Sequence, residues 1–257
     1  MRTIVCIVLV CSFAIPGVAQ ERVTTIHVFV ALCDNEHQGI VPVPAVLGNG
    51  EDPANNLYWG AMYGVKTFLR KSKDWTLVTT VKNPSETVLE RIVFKHRTHA
   101  AYLVAEAYRG AGIKDAVADF LAAAAGNSRT TIRVDEKSLE IHGAADLVVY
   151  VGHNGLMDFD INTPVPEKNA EPRDAIVLAC KSKPYFQPRL VQLRSRCVLL
   201  TTGFMAPEAY TLEAAVASWL AGETAEKIRD RAARAYDKHQ KCGLRAARRL
   251  FYAQDRN

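Results

Sequence analysis

After its first twenty residues the sequence has no apolar run as long as a membrane span needs, so no spanning helix is expected in the rest of the chain. It has no CxxC pair and no cysteine spacing suited to zinc, which argues against a structural zinc site or a thioredoxin-type redox motif. It has no internal repeat and no low-complexity linker. The net charge of +5 is a mild basic excess, weak evidence for acidic partners and none for nucleic acid. The basic last helix, with Arg229, Arg231, Arg234, Lys238 and Lys241, is interleaved with Asp and Glu and reads as a solvated helix face rather than a nucleic-acid stripe.

The first residues, "MRTIVCIVLVCSFAIPGVAQ", do carry an apolar run. Arg2 precedes it, Pro16 breaks it, and small residues stand at Gly17 and Ala19. That is the layout of a secretory signal peptide cut near Ala19. It predicts an exported protein, periplasmic or secreted, whose residues 20–257 form a single α/β domain ending in helices. Four cysteines lie beyond the cut: Cys33, Cys180, Cys197 and Cys242. An oxidising compartment permits a Cys197–Cys242 disulfide; two buried free thiols are the alternative.

Strand-like apolar runs recur at "IHVFVAL", "WTLVTTV", "ADLVVYVG", "DAIVLAC" and "CVLLTTG". "ERIVFKH" suits either a strand or a helix start, and 131–141 alternates like a hairpin. Helical periodicity is read over 57–72, over the alanine-rich 98–125 with a break near Gly110–Gly112, over 211–222, and from an N-cap at Thr224 to Gly243. Strands without strict alternation are covered on both faces, and strands alternating with helices predict a mostly parallel sheet in a three-layer α/β sandwich. Function in such sheets gathers outside the carboxyl ends of the strands.

Two of those ends stand out. "VVYVG" runs into His153, Asn154 and Gly155, and "AIVLA" runs into Cys180. Adjacent parallel strands would carry both side chains to one rim. A thiol becomes a good nucleophile when deprotonated, and an imidazole can take the proton. Gly155 and the Cys180 amide are candidate donors to an oxyanion, and Lys181 and Lys183 would favour the thiolate if they point inward. Asp34 and Asn35 close the first strand on the same rim, either to bind substrate or to cap the loop. Asp158 and Asp160 follow the histidine as partners for a cation or a basic side chain, or as solvated loop charges. Gly48-Asn49-Gly50 lacks the Lys-Ser/Thr of a phosphate cradle and reads as a turn.

The pair "VVYVGHNG" and "AIVLAC" resembles the signature of the caspase-like cysteine peptidases, the group of caspases, legumains, gingipains and clostripain. The likeness rests on these two motifs and the α/β pattern over roughly 23–222. It implies a caspase-like fold, Cys180 as nucleophile, His153 as acid/base and Gly155 at the oxyanion site. The group usually has His and Gly adjacent, whereas Asn154 separates them here, and "KSKPYF" after Cys180 carries no glycine. The likeness also makes Thr202, Phe204, Glu208 and Tyr210 of "TTGFMAPEAYTL" candidates for lining the pocket of the residue before the cut. The expected activity is that of a cysteine peptidase or related thiol hydrolase on a peptide or protein substrate, with no metal or organic cofactor called for. Two rivals stay open: a caspase-like binding protein without catalysis, and an unrelated flavodoxin-like or Rossmann-like ligand-binding domain. The sequence does not indicate an oligomeric state.

Overall fold

The computed structural model describes residues 23–255, so the expected signal peptide, 1–19, lies outside the described residues. "IHVFVAL" forms β1 (Thr24–Ala31), whose alternate side chains enter two different cores. Ile26, Val28 and Val30 pack on one side of a sheet, Phe29 and Ala31 on the other. In β7 (Leu147–Val151), Leu147, Val149 and Val151 face the first side, Val148 and Tyr150 the second. Burial on both faces explains why these strands read as continuous apolar runs.

Six further strands complete the sheet: β2 (Trp75–Lys82), β3 (Val88–His96), β4 (Ala101–Tyr108), β8 (Asp174–Leu178), β9 (Cys197–Thr201) and β10 (Phe251–Tyr252). Their order is β10-β9-β8-β7-β1-β4-β3-β2. The five from β9 to β4 are parallel, and β10, β3 and β2 are each joined at the margins by antiparallel pairing. The sheet is therefore mostly parallel, with the two chemistry-bearing strands, β7 and β8, side by side as expected.

Helices cover both faces, as in a three-layer sandwich. On one side, α2 (Ile113–Ala124) and α3 (Ser182–Gln192) set Phe120 and Phe186 against Phe29 and Tyr150. On the other, α1 (Val65–Arg70), α4 (Ala209–Leu220), α5 (Ala225–Gln240) and α6 (Leu244–Leu250) bury Leu69, Leu212, Trp219, Ile228 and Ala247. Thr224 caps α5, as the sequence predicts, accepting from the Lys227 N–H. The expected hairpin forms from β5 (Thr130–Val134) and β6 (Lys137–Ile141), which pack Val134 and Leu139 on Val93 and Val104.

Several expectations are corrected. The helix read over 98–125 splits: 101–108 is strand β4, fully buried between β1 and β3, and only 113–124 is α-helical. Pairing on both edges overrides alanine's helix preference. The helix read over 57–72 is confined to Val65–Arg70, because the Trp59, Gly60 and Ala61 amides all turn back to the Asn56 carbonyl. Helix α3 is not among the helices read from the sequence; of its two prolines, Pro184 sits in the first turn, where no backbone donor is needed, and Pro188 lies inside the helix. The Cys197–Cys242 bond is absent: all four described cysteines are free. Helix α5 starts near the Cys197 end of β9, through Ala225 on Asp255 and Gln254 on Cys197. It ends near Cys180, through Tyr236 on Ala206, so Cys242 lies at the opposite rim from Cys197.

Candidate functional site

The register of β7 on β8 pairs Val151 with Leu178, so the chain leaves both strands at one level. Two residues later come His153 and Cys180, and both line one cavity of about 360 Å³. Gly152 makes the close approach possible. Its φ is 150°, and a Cβ there would come within 2.9 Å of the Ala31 carbonyl oxygen on β1.

The histidine turn is tied down at several points. Tyr150 donates its hydroxyl to the His153 carbonyl at 2.8 Å. Asn154 is fully buried and donates from Nδ2 to the Cys180 carbonyl at 2.8 Å, joining the two strand ends directly. Its Oδ1 is buried without a partner. After one 3₁₀ turn (Gly155–Met157) the chain returns Asp158, whose Oδ2 lies 2.7 Å from His153 Nε2. The same oxygen accepts the Gly39 N–H at 2.9 Å. An ionised carboxylate only accepts, so Nε2 carries the proton, and Nδ1 is the unprotonated nitrogen of the neutral ring.

Cys180 sits in a strand–turn–helix corner. Lys181 adopts a left-handed conformation with φ 48° and donates its N–H to the Gly203 carbonyl; α3 begins at Ser182. Ser182 and Thr201 exchange hydrogen bonds beneath the corner and fix β8 to β9. The Cys180 sulfur is held by Met205, whose N–H and carbonyl both lie 3.4 Å away. Tyr58 also lines the cavity, and its hydroxyl donates to the buried Cys33 sulfur. Burial, with the Cys33 and Cys180 sulfurs nearby, holds its pKa well above the ordinary value, so it remains a donor.

The other sequence candidates fall into two sets. Phe204 lines the Cys180 cavity. Thr202, Glu208 and Tyr210 do not. Thr202 donates to the Arg249 carbonyl, Glu208 accepts from Tyr210 and Gln240, and Tyr210 is buried and stacked on His239. Asp34 accepts the Glu36 and His37 amides, and Asn35 exchanges two bonds with Val43, so both hold the 34–50 loop and border a separate cavity of about 280 Å³. The Gly155 expectation is corrected as well. Its N–H donates to the His153 carbonyl at 3.0 Å, and its missing Cβ makes room for the Phe159 ring. Lys181 and Lys183 rest over the Phe204 and Tyr252 rings, at 4.4 and 4.1 Å, instead of turning to the sulfur.

Asp158 is the residue whose part the sequence leaves unresolved; its only signal is a carboxylate five positions after the histidine. Ile40, Val41, Tyr58, Met157 and Pro207 also line the cavity and carry no local signal. A second cluster of ligand-type residues lies within the sheet: His27, Glu106 and His142, with ligand atoms within 4.8 Å of one another. The atoms of His27 and Glu106 are already engaged. His27 Nδ1 accepts the His142 N–H, Nε2 faces Glu106 at 3.1 Å, and Arg91 donates to the other Glu106 oxygen at 2.7 Å. It is an ion network joining β1, β3 and β4. Comparisons of this chain with family models, with curated proteins and with solved structures find no match.

Proposed function

We propose that this protein is a thiol hydrolase of caspase-like architecture, a cysteine peptidase, with Cys180 as nucleophile, His153 as acid/base and Asp158 as the group that orients the ring. The observation that carries it is the meeting of a partly exposed cysteine and a carboxylate-bound histidine on one cavity wall, at the ends of adjacent parallel strands. A nucleophile, a base and a group orienting the base are what acyl transfer requires.

In the reaction, His153 Nδ1 takes the thiol proton and the sulfur attacks the substrate carbonyl carbon. The C=O π pair moves to oxygen, where the Cys180 amide is the candidate donor. Collapse of the oxyanion breaks the C–N bond, and the leaving amine takes the proton from His153. Water then adds to the thioester, gives a proton to His153, and expels the sulfur, which recovers that proton as the acid departs. Engagement requires the sulfur to leave Met205 and turn toward Nδ1; such bonds commonly tighten only with substrate present.

The Met205 contacts also favour a second reading, a binding protein that keeps the cavity without turnover, since the sulfur is held by the Met205 backbone. A peptide-library digest with wild type, Cys180→Ala and His153→Ala separates the two. Cleavage lost in both variants supports the hydrolase. No cleavage by wild type, together with a Cys180 thiol no more reactive than Cys242, leaves the binding protein.

A further inference from the structure

The cavity beside Cys180 is sharply divided in chemistry. One part of its lining holds the reacting groups, His153 and Cys180, with Gly39, Gly152 and Tyr58. Its walls are Ile40, Val41, Met157, Phe204 and Pro207. These come from three separate stretches: the loop after β1, the turn after β7, and the loop after β9.

The walls carry no charged side chain. Asp158, just behind Met157, is taken up by the His153 ring and the Gly39 amide. Lys181 lies over the Phe204 ring, 4.4 Å from its centroid, and is a rim cation rather than a wall residue. Meanwhile the rim is unusually apolar for a surface in water: Val41 is 88 % exposed, Phe204 67 % and Met157 37 %. Together they are three of the eight large hydrophobic residues left exposed among the described residues, gathered round one opening. Scattered exposed apolar residues need no explanation, but a contiguous patch around a cavity marks a binding surface.

We infer that this cavity accepts an apolar or aromatic side chain, carried by the residue whose carbonyl the Cys180 sulfur attacks. The inference rests on the hydrolase reading above and names the substrate class for it. An acidic or basic side chain entering between Ile40, Val41, Met157 and Phe204 would lose part of its hydration and gain no hydrogen bond from those four side chains, a cost that an apolar side chain avoids. Unbranched Met157 can adjust to side chains of different shape, which favours a class (Leu, Met, Phe, Tyr) over a single residue. About 360 Å³ holds one bulky side chain with room to spare.

The test uses fluorogenic peptides that differ only at the residue donating the carbonyl, with Leu, Phe, Asp, Asn, Lys and Arg in turn. Wild type, Cys180→Ala and Phe204→Asp are compared. The expected result is turnover that depends on Cys180, with kcat/KM for Leu or Phe at least about tenfold above that for Asp, Lys or Arg, the range one apolar pocket provides. In Phe204→Asp, which changes an exposed residue and leaves the core intact, the preference should shift toward Lys and Arg. Cys180-dependent turnover that is flat across the panel, or best with a charged residue, would overturn the specificity and leave the hydrolase standing. Absence of Cys180-dependent turnover on every peptide would overturn both.

Discussion

His153 Nε2 and Asp158 Oδ2 stand 2.7 Å apart across a single turn, and the same carboxylate oxygen holds the Gly39 amide of the loop that walls the cavity. One side chain therefore sets both the tautomer of the histidine and the position of the substrate loop. Asp158→Asn keeps the shape and loses the charge. If the carboxylate orients a working base, kcat should fall by about a hundredfold while KM changes little. A variant with kcat unchanged would remove Asp158 from the mechanism.

The four described thiols differ in burial, and their reactivity should follow. Burial pushes Cys33 and Cys197 up to about 11, so only about one such thiol in ten thousand is ionised at neutral pH. Cys242 is exposed and serves as an internal reference. In a limited alkylation followed by peptide mass spectrometry, Cys180 and Cys242 should label first, and Cys33 and Cys197 only on unfolding. His153→Ala should slow Cys180 several-fold relative to Cys242. An unchanged ratio would show that the imidazole does not assist the thiol.

Asn154 bridges the strand ends from a fully buried position. Asn154→Asp replaces the donor to the Cys180 carbonyl with an acceptor and buries a carboxylate. It should cost about 1–3 kcal/mol in urea unfolding and more than Asn154→Ala, which removes the unpartnered Oδ1 as well. Equal stability of the Asp variant and wild type would mean that the bridge contributes nothing.

The ion network inside the sheet makes the fold acid-sensitive in two stages. Burial and then neighbouring His27 pull His142 from 6.5 down to about 4, so the unfolded chain gains a proton that the fold refuses. Stability should fall as pH drops from about 6.5 to about 4. Burial would raise the Glu106 carboxyl, but His27 and Arg91 outweigh it and bring it to about 2. Its contribution is complete above the ordinary carboxylate value of 4.5 and is lost between there and about 2. Each stage is on the order of 3 kcal/mol at full extent. His142→Asn, whose side chain suits the positive φ of 52° at this position, should flatten the first stage, and Glu106→Gln the second. Urea midpoints that decline with pH as steeply in these variants as in wild type would exclude the assignment.

Much of the architecture is legible in the local sequence. The runs ending at Cys33, Gly152 and Ala179 identify buried parallel strands, because a strand covered on both faces must be apolar at every position. Thr224 caps a helix because its hydroxyl satisfies a free amide within its own turn. The delivery of His153 and Cys180 to one rim follows from strand order alone. Local pattern fails at Ala101–Tyr108, whose composition suits a helix, because two neighbouring strands supply hydrogen bonds that no window of sequence contains.

What the tertiary structure decides is which polar groups are left over for chemistry. Asp34, Asn35, Thr202, Glu208 and Tyr210 are polar or aromatic residues near the right rim, yet their atoms are spent on loops and helix ends. Asp158 was ambiguous in sequence and is bound to the histidine in space. The cavity walls at 39–41, 157 and 204–207 meet only because three loops, distant in the chain, fold over the ends of β7 and β8. A sequence sets the chemical type of each side chain; its partner is set by packing across the sheet, and a hydrogen bond or an apolar wall exists only when both sides arrive together.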